Sequence, residues 1–157
     1  MGDSGGSLTI RATGELHELM RAAGFTGIED TEALAEGWQV THFADAGRRS
    51  LANLVQSTGS SAIMVSFVDS DVAFVEALTP DGSSWEGLLN REVARGYEIP
   101  LEQFPIEPAV AGALAWSAAV GLTPDEDAIQ QTLTGSALFA EHLSSSLLTA
   151  LGLPGAT

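Results

Sequence analysis

Two aspartates two residues apart are the first side chains in this sequence that could form a chemical site. Asp69 and Asp71, with Ser70 between them, interrupt two apolar runs. Carboxylates at this spacing could share a hard cation such as Mg²⁺ or Ca²⁺, which prefers oxygen ligands. Asp and Ser are also favoured in tight turns, because their side chains bond their own backbone. We adopt the turn interpretation and keep a metal site at Asp69 and Asp71 as a hypothesis.

Glu76 is the candidate for acid–base chemistry. The alternation of its segment places it on the same strand face as Phe74 and Leu78. A carboxylate in apolar surroundings has a raised pKa, and it could act as a general acid or base or pair with Arg11 or Arg49. The simpler interpretation, which we adopt, is a strand near a sheet edge, with a glutamate that reaches water.

His42 is the histidine that we pair with Glu76 as a catalytic candidate. It lies in the strand predicted over residues 38–43, on the same face as Trp38 and Val40. Imidazole changes its charge near neutral pH and can therefore transfer protons. A structural, hydrogen-bonded histidine is the simpler interpretation of this position.

The motifs of the easily recognised enzyme classes are absent from the sequence. It contains no phosphate-binding P-loop, no dinucleotide-binding glycine pattern, no His-Glu-x-x-His zinc motif and no Gly-x-Ser-x-Gly nucleophile elbow. Without cysteine it has no disulfide, thiolate nucleophile or cysteine-based metal site. We therefore predict no cofactor, and whether the protein is an enzyme stays open.

Residues 61–79 must position Asp69, Asp71 and Glu76, and their pattern predicts a β-hairpin. Two β-rich apolar runs flank the polar residues 69–71. With Ser70-Asp71 as a two-residue loop, Val65 would face Glu76 across the strands. Both faces of this hairpin are largely apolar, so we place it in the middle of a sheet with helices on both sides.

The other segments complete an α+β or layered α/β domain of about four strands, with a mostly helical last third. Residues 1–7 are predicted to form a flexible Gly- and Ser-rich tail, and residues 8–157 a single globular domain. A capping-box pattern at Ser83 and Glu86 predicts a helix over residues 83–93. Residues 108–121 predict a helix that is apolar all round, which suits either the core or a homodimer interface.

Charge is the strongest compositional signal. The chain has 21 acidic residues against 6 arginines, no lysine and a formal charge of −15. Seven acidic residues and no arginine follow Arg95. Such a surface repels nucleic acid and anionic membranes and attracts basic proteins. Because the beginning of the chain lacks secretory-signal features and no segment suits a membrane span, we predict a cytoplasmic protein.

Two functions remain open at this point. The first is a regulator, adaptor or inhibitor that binds a basic protein partner, as the charge and the apolar helix suggest. The second is an enzyme or a small-ligand or metal-binding protein with a site around Glu76, Asp69, Asp71 and His42. Convergence of Glu76 and His42 in one cavity would favour the second function.

Overall fold

The protein is an α+β domain built on one antiparallel sheet. The structure, a computed structural model, describes residues 5–12 and 15–154, and within these ranges the chain forms eight strands and six α-helices. The strands are β1 (Gly6–Ile10), β2 (Phe25–Thr26), β3 (Glu32–Ala33), β4 (Gln39–Phe43), β5 (Asp45–Ala46), β6 (Ala62–Val68), β7 (Val72–Leu78) and β8 (Ser84–Leu89). The helices are α1 (Leu16–Ala23), α2 (Ser50–Thr58), α3 (Arg91–Gly96), α4 (Ile106–Ala119), α5 (Glu126–Thr134) and α6 (Ala140–Ala150).

Six strands form the main sheet in the order β3-β4-β1-β6-β7-β8, while β2 pairs with β5 in a separate two-stranded sheet. The predicted α+β class is confirmed, but the expectation of about four strands was wrong. Short strands such as β3 have only two residues, which is too few for a period-two pattern to show in the sequence.

The hairpin at residues 61–79 is confirmed, and it lies in the interior of the sheet as β6 and β7. Its loop has three residues, 69–71, and not the two predicted, because Val68 pairs with Val72. Asp69 and Ser70 both have positive φ angles, 51° and 60°. The Asp71 N–H donates to the Val68 carbonyl at 2.9 Å, which closes the turn. Positive φ at both central residues is the geometry whose twist matches a hairpin.

The third loop residue shifts the pairing register by one residue from our prediction. Glu76 lies opposite Met64 and not opposite Val65. A shift of one residue moves a side chain's cross-strand partners to the other face. As a result Ile63 and Val65 share a face with Val75, whereas Met64 shares the other face with Glu76.

Helices cover both faces of the hairpin. Helices α4, α5 and α6 pack on the first face, which carries Ile63, Val65 and Val75. The second face is covered in two separate parts, by α1 and α2 over β1 and β6 and by α3 with the 3₁₀ turn Leu101–Gln103 over β7 and β8. The gap between these two covers leaves part of β7 and β8 open on the second face.

The predicted helix over residues 83–93 was wrong, because residues 84–89 form strand β8 and only Arg91–Gly96 is helical. β8 pairs with β7 along its length, so Trp85 lies opposite Ala77 and Glu86 opposite Glu76. Gly87 within this segment disfavours a helix and tolerates a strand against Val75. Tertiary pairing with β7 therefore outweighed the capping-box signal.

The boundary of the predicted tail also moves. Strand β1 begins at Gly6, and Gly6 and Ser7 pair with β4 on one side and β6 on the other. Two residues assigned to a flexible tail are thus in the sheet, since a glycine fits where the Phe43 ring and the Val65 carbonyl approach closely. Residues 1–4 of that predicted tail lie outside the described residues.

Helix α4 has one buried face and one exposed face, although nearly all its residues are small or apolar. Ala113, Trp116 and Ser117 are buried, whereas Ala111 and Ala118 are exposed. None of the helices in residues 5–12 and 15–154 combines the length and apolar character needed to cross a membrane.

Replacement of Gly112 tests how closely α4 approaches β8. A Cβ at this position would overlap the Cβ of Trp85, so Gly112→Ala is expected to lower the free energy of unfolding by about 1–3 kcal/mol. Gly96→Ala is the matched control, because a Cβ there meets no atom within 4 Å. Urea denaturation of both variants checks this. An unchanged Gly112→Ala midpoint would contradict the packing of α4 on β8.

Candidate binding surface at the hairpin tip

The turn of the β6–β7 hairpin contacts the beginning of helix α6. The Ala140 N–H donates to the Ser70 carbonyl at 2.7 Å, which satisfies one of the backbone donors left open at a helix start. The Ser70 hydroxyl donates to Glu141 Oε2 at 2.7 Å. Glu141 lies in the first turn of α6, where its negative charge interacts favourably with the helix dipole. The hairpin turn and the helix start are thus joined.

The side chain of Asn90 connects the hairpin turn to the segment that leads into α6. It is fully buried and has a left-handed backbone, with φ of 66°, a conformation that Asn tolerates better than most residues. Its Nδ2 donates to the Asp71 carbonyl at 2.6 Å and to the Ala137 carbonyl at 2.9 Å. Its Oδ1 accepts from the Ala137 N–H at 3.1 Å. One amide therefore links the hairpin, the start of α3 and the segment that leads into α6.

Tyr97, just after α3, completes the connection at the surface. Its hydroxyl donates to Asp71 Oδ2 at 2.6 Å, and this hydrogen bond raises the pKa of the Tyr97 phenol. The Tyr97 ring remains exposed, with 43% of its surface accessible. The hydrogen bond holds the ring beside the aspartate, so an apolar group and a negative charge are presented together.

Leu138 and Phe139 add apolar area at the same place. They directly precede Ala140, and 79% and 47% of their surfaces are accessible. Among the described residues, Tyr97, Leu138 and Phe139 are the large hydrophobic side chains that are exposed. Exposed apolar side chains grouped in this way are typical of an interaction surface.

We call this region the tip surface. It consists of three apolar side chains and three carboxylates: Asp69, Asp71, Tyr97, Leu138, Phe139 and Glu141. Aromatic and aliphatic side chains of this kind anchor protein interfaces, while charges at the rim select the partner by complementarity. The arrangement can bind an apolar surface that carries positive charge. In the part of the chain described, no group of three or more potential ligands is gathered for a metal ion, and the metal site at Asp69 and Asp71 stays a hypothesis.

The structure places the four predicted site residues at three separate positions. Asp69 and Asp71 belong to the tip surface, about 16 Å along β7 from Glu76. His42 pairs with Ser7, which pairs with Val65, so His42 lies on the first face of the sheet and three strands from β7. Glu76 lies on the second face. Glu76 and His42 therefore do not converge, and a catalytic role for either stays a prediction.

Glu76 is half-buried in an interior strand, and not at a sheet edge as the simpler interpretation of its pattern had it. Burial raises its pKa, and the negative charge of Glu86, directly opposite on β8, raises it further. Neither arginine proposed as its partner reaches it. Arg11 donates to the Val120 carbonyl at 2.7 Å and stacks on Trp38, and Arg49 is an exposed residue before α2.

Several residues of the tip surface were not identified from the sequence. Tyr97 and Glu141 come together with Asp71 only through the tertiary fold, and no spacing pattern links them. Leu138 and Phe139 do give a signal, because they fall outside the buried stripe of α6 that contains Leu143 and Leu147. An apolar pair that lies outside the buried stripe of the neighbouring helix is a candidate for a surface contact.

Comparison with known proteins gives no family assignment: no protein-family model matches the chain, and no curated protein sequence or solved structure is significantly similar to it.

The Glu76–Glu86 pair predicts a pH-dependent effect on stability. Because the pKa of Glu76 is raised from 4.5 in the folded state, its ionisation opposes folding at neutral pH. We expect Glu76→Gln to raise the free energy of unfolding by about 0.2–1 kcal/mol at pH 7, the range for like charges opposed in a sheet. The gain should disappear below pH 4.5, where Glu76 is protonated in both states.

Thermal unfolding between pH 3.5 and 8 measures this, with Glu102→Gln, at an exposed site, as the control. A stabilisation that is equal at pH 3.5 and pH 7, or equal in the control, would contradict the raised pKa of Glu76.

Proposed function

We propose that the protein is a cytoplasmic binding protein that docks a basic protein partner through the tip surface, as a regulator, adaptor or inhibitor. The observation that carries this proposal is the concentration of exposed Tyr97, Leu138 and Phe139 beside the carboxylates of Asp71 and Glu141. A partner that covers these apolar groups gains the hydrophobic free energy of their burial. The positive charges of the partner would then lie next to the carboxylates of the tip surface.

The overall charge supports a basic partner. With a formal charge of −15, the chain attracts cationic surfaces over about a Debye length. The same charge repels nucleic acid and anionic membranes, so we do not propose them as partners. The tip surface adds a local determinant, because its carboxylates lie next to the apolar anchors. Specific docking needs both parts, since long-range attraction alone does not select one surface.

The alternative function, an enzyme or a small-ligand or metal-binding protein, depends on the convergence of Glu76, His42, Asp69 and Asp71. These residues occupy three separate places in the fold, and no observation favours a common site. We therefore do not propose catalysis.

Homodimerisation through the helix predicted at residues 108–121 is a further part of the proposal. The exposed face of α4 carries small side chains, including Ala111, Ala115 and Ala118, which would allow close helix packing between two copies. The molar mass of the purified protein in solution tests this part independently of the tip surface.

The test of docking is affinity purification from the source cell, followed by mass spectrometry, with a variant that removes the apolar anchors. Leu138→Ser with Phe139→Ser should lower the recovery of a specific, basic partner about 10-fold or more, because such anchors contribute much of an interface's free energy. Both side chains are exposed, so the fold should not be affected.

The matched control is Ala22→Ser with Gln56→Ser, at exposed positions of α1 and α2. This control should recover the partner as well as the unchanged protein does. For both proteins, recovery of the partner should fall as the salt concentration is raised from about 0.05 to 0.5 M. Recovery of the same proteins by the anchor variant and the control would contradict the proposed docking surface.

A further inference from the structure

A groove on the second face of the sheet lies between the two helical covers. Its volume is about 200 Å³, and its floor comprises Met64 and Ser66 from β6, Phe74 and Glu76 from β7, and Glu86 from β8. One wall is Phe104, whose ring centroid is 5.6 Å from that of Phe74. The groove is therefore mainly apolar and aromatic, with two carboxylates at one side.

The strand register arranges these groups in rows. Met64, Glu76 and Glu86 are directly opposite one another across three strands, and Ser66 and Phe74 form the adjoining row. Paired residues in a sheet have Cβ atoms about 4.5–5.5 Å apart, so the two carboxylates are close neighbours. Two negative charges at this distance repel one another, and a cation placed between them would remove the repulsion.

The described part of the chain supplies no such cation. On the adjacent helix α3, Arg91 donates to the carbonyls of Phe104 and Leu101 at 2.6 and 3.3 Å. Arg95 pairs with Glu92 at 3.2 Å on the outer side of α3. The charge of the groove is thus complementary to a cation from another molecule.

We propose that this groove binds an arginine side chain of the basic partner. A planar guanidinium can donate to two carboxylates at once and stack on an aromatic ring such as Phe104, while its aliphatic stem lies along Met64. Lysine fits less well, because its compact ammonium is strongly hydrated and does not stack. The inference depends on the proposed function only for the source of the arginine, so it can be tested without the partner.

The test is NMR titration of methyl-labelled methionine with N-acetyl-L-argininamide as the probe. We expect a saturable shift of the Met64 methyl, with a dissociation constant on the order of 1–10 mM. The methyl of Met20, a fully buried residue of α1, is the internal reference and should not move. The citrulline analogue, which has the same shape without the charge, should give no saturable shift, and the lysine analogue should bind at least about 3-fold more weakly.

Two variants make the result specific. Glu76→Gln with Glu86→Gln should abolish the Met64 shift, and the exposed pair Glu102→Gln with Glu107→Gln should retain it. An unsaturable shift, an equal shift with citrulline, or retention in the first variant would overturn the proposal. Once a partner is known, the failure of this proposal can be distinguished from failure of the docking proposal. If the Leu138 and Phe139 variant loses docking but the groove binds no arginine, the groove proposal is overturned and the tip surface proposal stands.

Discussion

The buried amide of Asn90 is the interaction on which the arrangement of the tip surface depends. Its three hydrogen bonds join the Asp71 carbonyl and both backbone groups of Ala137 to a side chain that is itself fully buried. Leaving this buried amide unsatisfied would cost about 1–3 kcal/mol. The hairpin, α3 and the start of α6 are otherwise separate in sequence, and they meet at this side chain.

The hairpin turn sets a second constraint, the register of β6, β7 and β8. Because the loop has three residues, 69–71, Val68 pairs with Val72, and all pairs along the two strands follow. This register buries Val65 and Val75 under α4–α6, and it brings Glu76 into line with Met64 and Glu86 on the other face. The same turn presents the Ser70 carbonyl to α6. The core, the groove and the tip surface thus share one structural origin.

Local patterns in the sequence predicted part of this structure. The hairpin, the strand over residues 39–43 and the helices of the last third follow from apolar periodicity, which depends on near neighbours in the chain. The pairing register did not follow, because residues 69–71 suit a loop of two or of three residues, and only the pairing of Val68 with Val72 in the folded chain distinguishes these. β8 was predicted as a helix since its capping signal is local, whereas its pairing with β7 is tertiary.

The residues of the candidate sites also divide into those that local patterns identify and those that only the tertiary fold brings together. The pattern of β7 indicated that Glu76 shares a face with Phe74 but favoured a glutamate that reaches water, and the polar residues at the turn identified Asp69 and Asp71 as loop residues. Tyr97, Asn90 and Glu141 come from three other segments, and only the folded chain brings them to the hairpin. A single sequence contains no periodicity that reports such contacts. Whether Glu76 and His42 converge also depends on the tertiary fold. The pairing register places the two residues on opposite faces of the sheet.

Hydrogen exchange of Asn90→Gly tests most directly whether the Asn90 amide holds the tip surface together. Glycine tolerates the left-handed backbone of this position, so the variant removes the three hydrogen bonds without adding backbone strain. The account predicts that the amides of Ala137 and Ala140 exchange at least about 10-fold faster, while those of Val65 and Val75 in the central strands stay protected. Unchanged protection at Ala137 and Ala140 would contradict it.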